Sequence, residues 1–284
     1  MEIMIPKDEI KDFLDFKVLE FNRPEFIDLD PISIPHRFTL KEDIEISAFL
    51  TATISWGNRK AILGAAKEMM KLMGESPYDF LMESKDFKHK RLSQFYYRTF
   101  NGVDYIYFLE GLRNIYQNHN GLENVFNELT SNHSVQESIG QFKQLFFELP
   151  HSSRTQKHIS DPLNGSAAKR INMMLRWLIR KDNNGVDFGI WKQLSTAQLS
   201  CPLDVHSGNV ARKLGLLNRS QNDAKALAEL DTSLRKLDPT DPVKYDFALF
   251  GLGCHIIAHN FAEDAKFLVS PHRLNSCNIS SNST

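Results

Sequence analysis

Cysteine is scarce in these 284 residues: there are three, Cys201, Cys254 and Cys277, at scattered positions. They make no disulfide framework, which points to a reducing, cytoplasmic home. Three thiolates also fall short of the four ligands of a protein-held iron–sulfur cluster. Long apolar runs are missing too. None approaches the roughly 18 uninterrupted apolar residues of a membrane span, and the opening Met1-Glu2-Ile3-Met4-Ile5-Pro6-Lys7-Asp8-Glu9 lacks the apolar stretch of a secretory signal. Alternating strand patterns are few and no internal repeat shows, which argues against sheet and solenoid architectures. A net charge of −1 argues against a protein that simply coats a polyanion.

What is present is an ordinary globular composition, 42% apolar and 11% aromatic, in a chain long enough for one large domain or two lobes with a real core. The charge is unevenly spread. Residues 151–219 hold eleven Lys and Arg against four acids, a surplus of seven, so the rest must carry −8 to give the total of −1. A basic face on a neutral protein suits a local phosphate contact, and equally a solvated helical surface.

The periodicity is helical nearly throughout. It predicts helices from Asp43 (after Thr39, with Ile46, Phe49, Leu50 and Thr53 on one stripe), over Ala61–Met73 with Gly74 and Pro77 as stop signals, and over Asp104–Tyr116, Leu122–Leu129 and Val135–Phe147. Ala168–Arg180 places Ile171, Met174, Leu175 and Leu178 on one face as an amphipathic helix. Asp223–Leu237 and Lys244–His259 complete the set, and the Ser- and Asn-rich stretch Ser270–Thr284 reads as a disordered tail. The fold class is all-α.

Two segments carry chemistry. In Asn164-Gly165-Ser166-Ala167-Ala168-Lys169-Arg170, small residues turn the chain into a helix that opens with a lysine. Such a turn lets backbone N–H groups approach a phosphate, and an amine held beside the helix end is a candidate nucleophile. A lone Lys here also suits an exposed first turn. In Pro202-Leu203-Asp204-Val205-His206, followed by Asn209-Val210-Ala211-Arg212-Lys213-Leu214-Gly215-Leu216, Asp204 is placed to cap a short basic helix that stops at Gly215.

The two segments together resemble the helix-hairpin-helix DNA glycosylases. In that superfamily a leucine-proline-glycine-x-glycine turn leads into the helix with the catalytic lysine, and a proline-x-aspartate-x-histidine segment follows, then an arginine-rich helix ending leucine-glycine-leucine. By position Lys169 matches the lysine and Asp204 the aspartate, with Pro202, His206, Val210, Arg212, Leu214 and Gly215 around it. The hairpin glycines are reduced here to Gly165-Ser166-Ala167-Ala168, and Lys181–Leu199 widens the spacing. Both departures are similar to the archaeal 8-oxoguanine glycosylase branch. Pro242–Gly253 resembles a helix of that branch which holds the extruded base, and this implies that Asp246 and Phe250 line a base pocket; the same two also suit an interior ion pair and a core ring. Phe49–Arg59 resembles the helix and loop that fill the gap in the duplex. Asn58 would then be the plug, with Trp56 or Arg59 on the strand and Trp56 beside the base pocket; taken alone, the segment reads better as a buried Trp and a Gly-Asn turn.

The resemblance covers about Asp43 to Phe261, with residues 1–42 as an N-terminal extension, and implies a bilobal helical bundle with a cleft. The whole chain also resembles a bacterial family known only as a domain of unknown function. The glycosylase likeness implies double-stranded DNA with a damaged base, 8-oxoguanine foremost, as partner. It implies no cofactor, no metal and no obligate protein partner. Ser166, Arg170, Arg176, His206, Arg212 and Lys213 would join Asn58 and Arg59 on the DNA. Asp204 would stabilise the charge developing on the sugar, and Lys169 would attack its anomeric carbon to form a Schiff base with possible strand cleavage. Two rivals stand beside this reading. One is a catalytically silent nucleic-acid binder on the same scaffold. The other is a metal hydrolase built on His255 and His259 at i, i+4, with Asp204 and His206. Cys254-His255 is no nucleophile–base pair, because adjacent helical residues point apart.

Overall fold

A computed structural model describes residues 6 and 8–258, and it is helical almost throughout. Among the described residues the α-helices are α1 (Ile10–Phe21), α2 (Glu25–Leu29), α3 (Lys41–Thr53), α4 (Arg59–Leu72), α5 (Pro77–Glu83), α6 (Lys90–Ser93), α7 (Gly102–Asn118), α8 (Leu122–Thr130), α9 (Val135–Phe146), α10 (Lys169–Ile179), α11 (Val205–Lys213), α12 (Ala224–Leu237) and α13 (Tyr245–Ala258). Sheet is confined to one antiparallel hairpin, Tyr96–Tyr97 with Phe100–Asn101. None of these helices is long and apolar enough to cross a membrane. The expected tail Ser270–Thr284 lies outside the described residues.

Helix starts follow side-chain chemistry. Asn101 and Asp104 form a capping box at α7, Ser134 and Glu137 at α9, and Asp223 caps α12. Such side chains satisfy first-turn N–H groups that have no helical partner. α4 begins two residues before Ala61 because Asn58 accepts the Ala61 N–H at 3.1 Å. Pro77, expected only as a stop, is the first residue of α5, where its fixed φ and missing N–H cost nothing.

α10 departs from the amphipathic expectation. Every residue from Ile171 to Ile179 is buried, including Asn172 and Arg176. The apolar stripe packs on α3, itself buried from Ile44 to Thr53. The polar side of α10 is covered as well, because Arg176 and Arg180 pair with Asp187, and Arg180 also with Asp182 and Asp241. A buried guanidinium is tolerated only with such partners.

The apolar interior forms two clusters. The larger joins α3, α4 and α7 to α10, with Phe49, Phe108, Phe142 and Trp177 among its rings. The smaller joins α1, α11, α12 and α13 through Phe13, Leu14, Val210, Leu227, Leu230, Tyr245 and Leu249. α1 packs along α13, so part of the N-terminal 42 residues belongs to this second cluster. α10 enters from the first cluster and α11 from the second, and a cavity lies where they meet.

Candidate active site

The turn before α10 is held by short-range hydrogen bonds. The Asp161 carboxylate accepts the Leu163 N–H at 3.0 Å and the Asn164 amide at 2.8 Å. Gly165 follows at φ +87°, a conformation that costs glycine nothing. Its carbonyl accepts the Ala224 N–H at 2.9 Å, and Ser166 bridges Asp223, so the turn is tied to the start of α12. Ser166 Oγ accepts the Ala168 N–H at 3.1 Å. Ala168 is left at φ 44°, ψ 40°, a left-handed backbone that costs an L-residue about 1–2 kcal/mol. This strained, buried residue sets the direction in which Lys169 leaves the turn.

Asp204 is fixed from the other side. One carboxylate oxygen, Oδ1, accepts the N–H groups of His206 at 2.8 Å and Ser207 at 3.0 Å. Ser207 Oγ accepts the Asp204 N–H at 2.9 Å, and the Asn222 amide donates to the Asp204 carbonyl at 2.9 Å. The cap therefore uses Oδ1 and leaves Oδ2 free. Lys169 Nζ lies 3.5 Å from that oxygen. Folding thus unites two groups that are 35 residues apart along the chain.

Both line a cavity of about 510 Å³, within the roughly 300–1,000 Å³ of small-ligand sites. Its walls carry the rings of Phe26, Trp56, Trp177, Phe247 and Phe250. Four cations, Arg59, Lys169, Arg170 and Arg176, face three carboxylates, Asp30, Asp204 and Asp246. His206 also lines it, edge-on to Phe250 with ring centroids 6.1 Å apart. Arg59 places its guanidinium 5.4 Å from the Phe250 ring. Arg170 stacks over Trp56 at 5.0 Å and donates to the Thr53 carbonyl; burial lowers its pKa to about 10.

Several expected contacts are placed differently. Arg176 is 3% exposed and paired with Asp187 and Asp246, so it is a floor ion pair and not an outward phosphate contact. Asp246 is therefore the interior ion-pair partner that its sequence equally allowed, with Cys201 Sγ 3.8 Å from its other oxygen. Burial pushes its carboxyl up to about 6 against the pull of Arg176. Arg212 is spent on the loop after α11, donating to the carbonyls of Arg219 at 2.7 Å and Gln221 at 3.2 Å and to the Asn222 side chain at 2.6 Å. Asn58 is exposed, caps α4 and is not a lining residue; Ser166 stays within its turn, and Lys213 is an exposed residue at the end of α11, away from the cavity wall. His259 and the side chain of His255 lie outside the described residues. Among the described residues no group of three or more His, Cys, Asp or Glu side chains could hold a metal ion.

Sequence reasoning missed Asp30 and Phe26, which reach the cavity from the N-terminal segment. The Asp-Pro step at 30–31 signals a cap, and the Asp30 side chain does accept the Ile32 N–H. Nothing local signals that this cap faces Lys169 and Asp204.

The model of one family matches residues 30–255, and so spans every lining residue except Phe26. The chain belongs to the family described as "Protein of unknown function (DUF2400)". No curated protein and no solved structure matches it. In this DUF2400 member the chemistry rests on the residues of the cavity itself.

Proposed function

We propose that this DUF2400 protein is a cytoplasmic DNA glycosylase that removes a damaged base, 8-oxoguanine foremost, and uses Lys169 as nucleophile. The observation that carries the reading is the 3.5 Å approach of Lys169 Nζ to the uncapped oxygen of Asp204 in an aromatic-walled cavity. A base must leave the duplex stack before its glycosidic bond can be reached, at a cost of a few kcal/mol. Stacking on rings such as Phe250 and Trp56 offsets that cost, since base–aromatic stacking contributes about 1–3 kcal/mol per base.

Once the base is seated, cleavage of the C1′–N bond leaves positive charge on the sugar. Asp204 stabilises it with a carboxylate whose orientation is already fixed by the α11 cap, so no reorganisation is needed as charge develops. The Lys169 amine attacks C1′, the base departs with the bonding pair, and the amine proton passes toward Asp204 or the departing base. Ring opening of the sugar then gives the Schiff base from which strand cleavage can follow. The surplus of seven positive charges over residues 151–219 supports a phosphate contact around the site. Arg176 and Arg212 are engaged internally and the Gly165, Ser166 and Ala168 N–H groups are spent within their turn, so Arg59, which lines the cavity, is the cation for that role.

The test is incubation of the purified chain with duplexes carrying 8-oxoguanine, uracil or an alkylated purine, scored for base release and nicking. Release from at least one duplex, lost in Lys169→Ala and Asp204→Asn, is expected. Tight duplex binding with no release from any of them would make the protein a silent binder instead.

A further inference from the structure

We propose that Asp30 reads the polar edge of the extruded base, and that the site takes a guanine-type purine, which presents a ring N–H and an exocyclic amine side by side. This inference rests on the glycosylase reading of the cavity and names the group that selects its substrate.

Asp30 is 7% exposed, yet it is part of the cavity wall. Among the described residues it makes no ion pair. Its Oδ1 accepts the Ile32 N–H at 3.1 Å, and among the described residues no other donor reaches the carboxylate. That oxygen is not sealed off, so water serves it until a ligand in the cavity supplies the donors. The other acids of the cavity are already committed. Asp246 is held by Arg176 and faces Cys201, and Asp204 is held by its cap and faces Lys169. Asp30 is therefore the one lining carboxylate without a charged side-chain partner.

The surroundings fit a planar ligand. Phe26 lies one turn before Asp30 and meets Phe250 edge-on with ring centroids 6.4 Å apart, and Phe247 at 5.3 Å. Burial pushes the Asp30 carboxyl above its ordinary value, against the Ile32 N–H and the positive charges of Arg176, Arg59 and Lys169. A carboxylate among aromatic faces accepts two parallel N–H bonds in a forked pair. Guanine-type purines offer that edge, whereas adenine-type purines place a ring acceptor beside their amine and would leave Asp30 facing a lone pair.

Asp30→Asn keeps the Oδ1 acceptor for Ile32 and turns Oδ2 into an N–H donor, so the forked pair can no longer form. Base release is measured under single turnover on duplexes carrying 8-oxoguanine or 8-oxohypoxanthine, which lacks the amine. In parallel, binding of free deoxyguanosine and deoxyinosine to the full chain is followed by tryptophan fluorescence, since Trp56 and Trp177 line the cavity. The wild type is expected to favour the amine-bearing partner by about tenfold or more in both assays, and the variant to lose that preference with its melting temperature unchanged. Base release with the preference intact in Asp30→Asn overturns the role of Asp30 and leaves the glycosylase reading standing. No base release, with a deoxyguanosine preference that Asp30→Asn abolishes, overturns the glycosylase reading and keeps Asp30 as the reader. A wild type with no preference in either assay overturns the inference outright, even if the variant fails to fold.

Discussion

Arg176, on the last turn of α10, reaches across the cavity floor to pair with Asp246 on the first turn of α13, and on its other side with Asp187. One buried guanidinium thereby links the two apolar clusters beneath the Lys169–Asp204 pair. Arg176→Ala strands the buried Asp246 and leaves Asp187 to Arg180 alone. Breaking such a pair costs about 3–5 kcal/mol, so thermal or urea unfolding should show a loss of that order. A change below about 0.5 kcal/mol, as at ordinary surface sites, would contradict the linking role.

Asp204 carries two separable duties. Asp204→Asn retains an oxygen for the His206 and Ser207 N–H groups and removes the charge that faces Lys169. Base release should fall by about a hundredfold or more, with stability nearly unchanged. Asp204→Ala loses the cap too, and should lower stability by about 1 kcal/mol. Equal activity in wild type and Asp204→Asn would remove the carboxylate from the chemistry.

The segment leading to Asp204 is anchored by Asp231, whose carboxylate accepts the Cys201 N–H at 3.0 Å. Burial raises the Asp231 carboxyl to about 6 from 3.8. The folded state therefore binds a proton there more tightly than the unfolded chain. The contribution of this proton to stability is full below about pH 4 and is lost as pH rises through about 6. Relative to Asp231→Asn, which does not titrate, the wild type should lose stability across that window in urea unfolding. A difference that stays flat, or grows with pH, would refute the assignment.

The N-terminal helix is part of the working structure. Leu14 is fully buried where α1 packs on α13, the helix that carries Asp246 and Phe250. Leu14→Ala should cost about 2–5 kcal/mol and weaken binding in the cavity along with it. An effect within about 0.5 kcal/mol would mean that α1 is a detachable appendage.

Local chemistry made the helices legible, and with them the cap at Asp204 and the stop at Gly215, because each depends on residues within a turn of one another. The meeting of Lys169 with Asp204 was legible only as a pairing of two segments; no periodicity could place them 3.5 Å apart. Arg176 and Arg212 misled in the same way. A guanidinium reads as surface charge in a sequence, and only the three-dimensional arrangement of Asp187, Asp246, Arg219 and Asn222 shows where each is consumed. Asp30 was invisible because its local signal, an acid before a proline, is that of any short cap. Its place in the cavity wall comes from the packing of chain far away in sequence.

The central claim is that the Lys169 amine attacks the sugar, and borohydride trapping tests it most directly. The full chain is incubated with a duplex from which it releases a base, reduced, digested and mapped by mass spectrometry. The account predicts a covalent DNA adduct on the peptide containing Lys169, absent in Lys169→Ala. An adduct on another residue, or one that survives in Lys169→Ala, would contradict it.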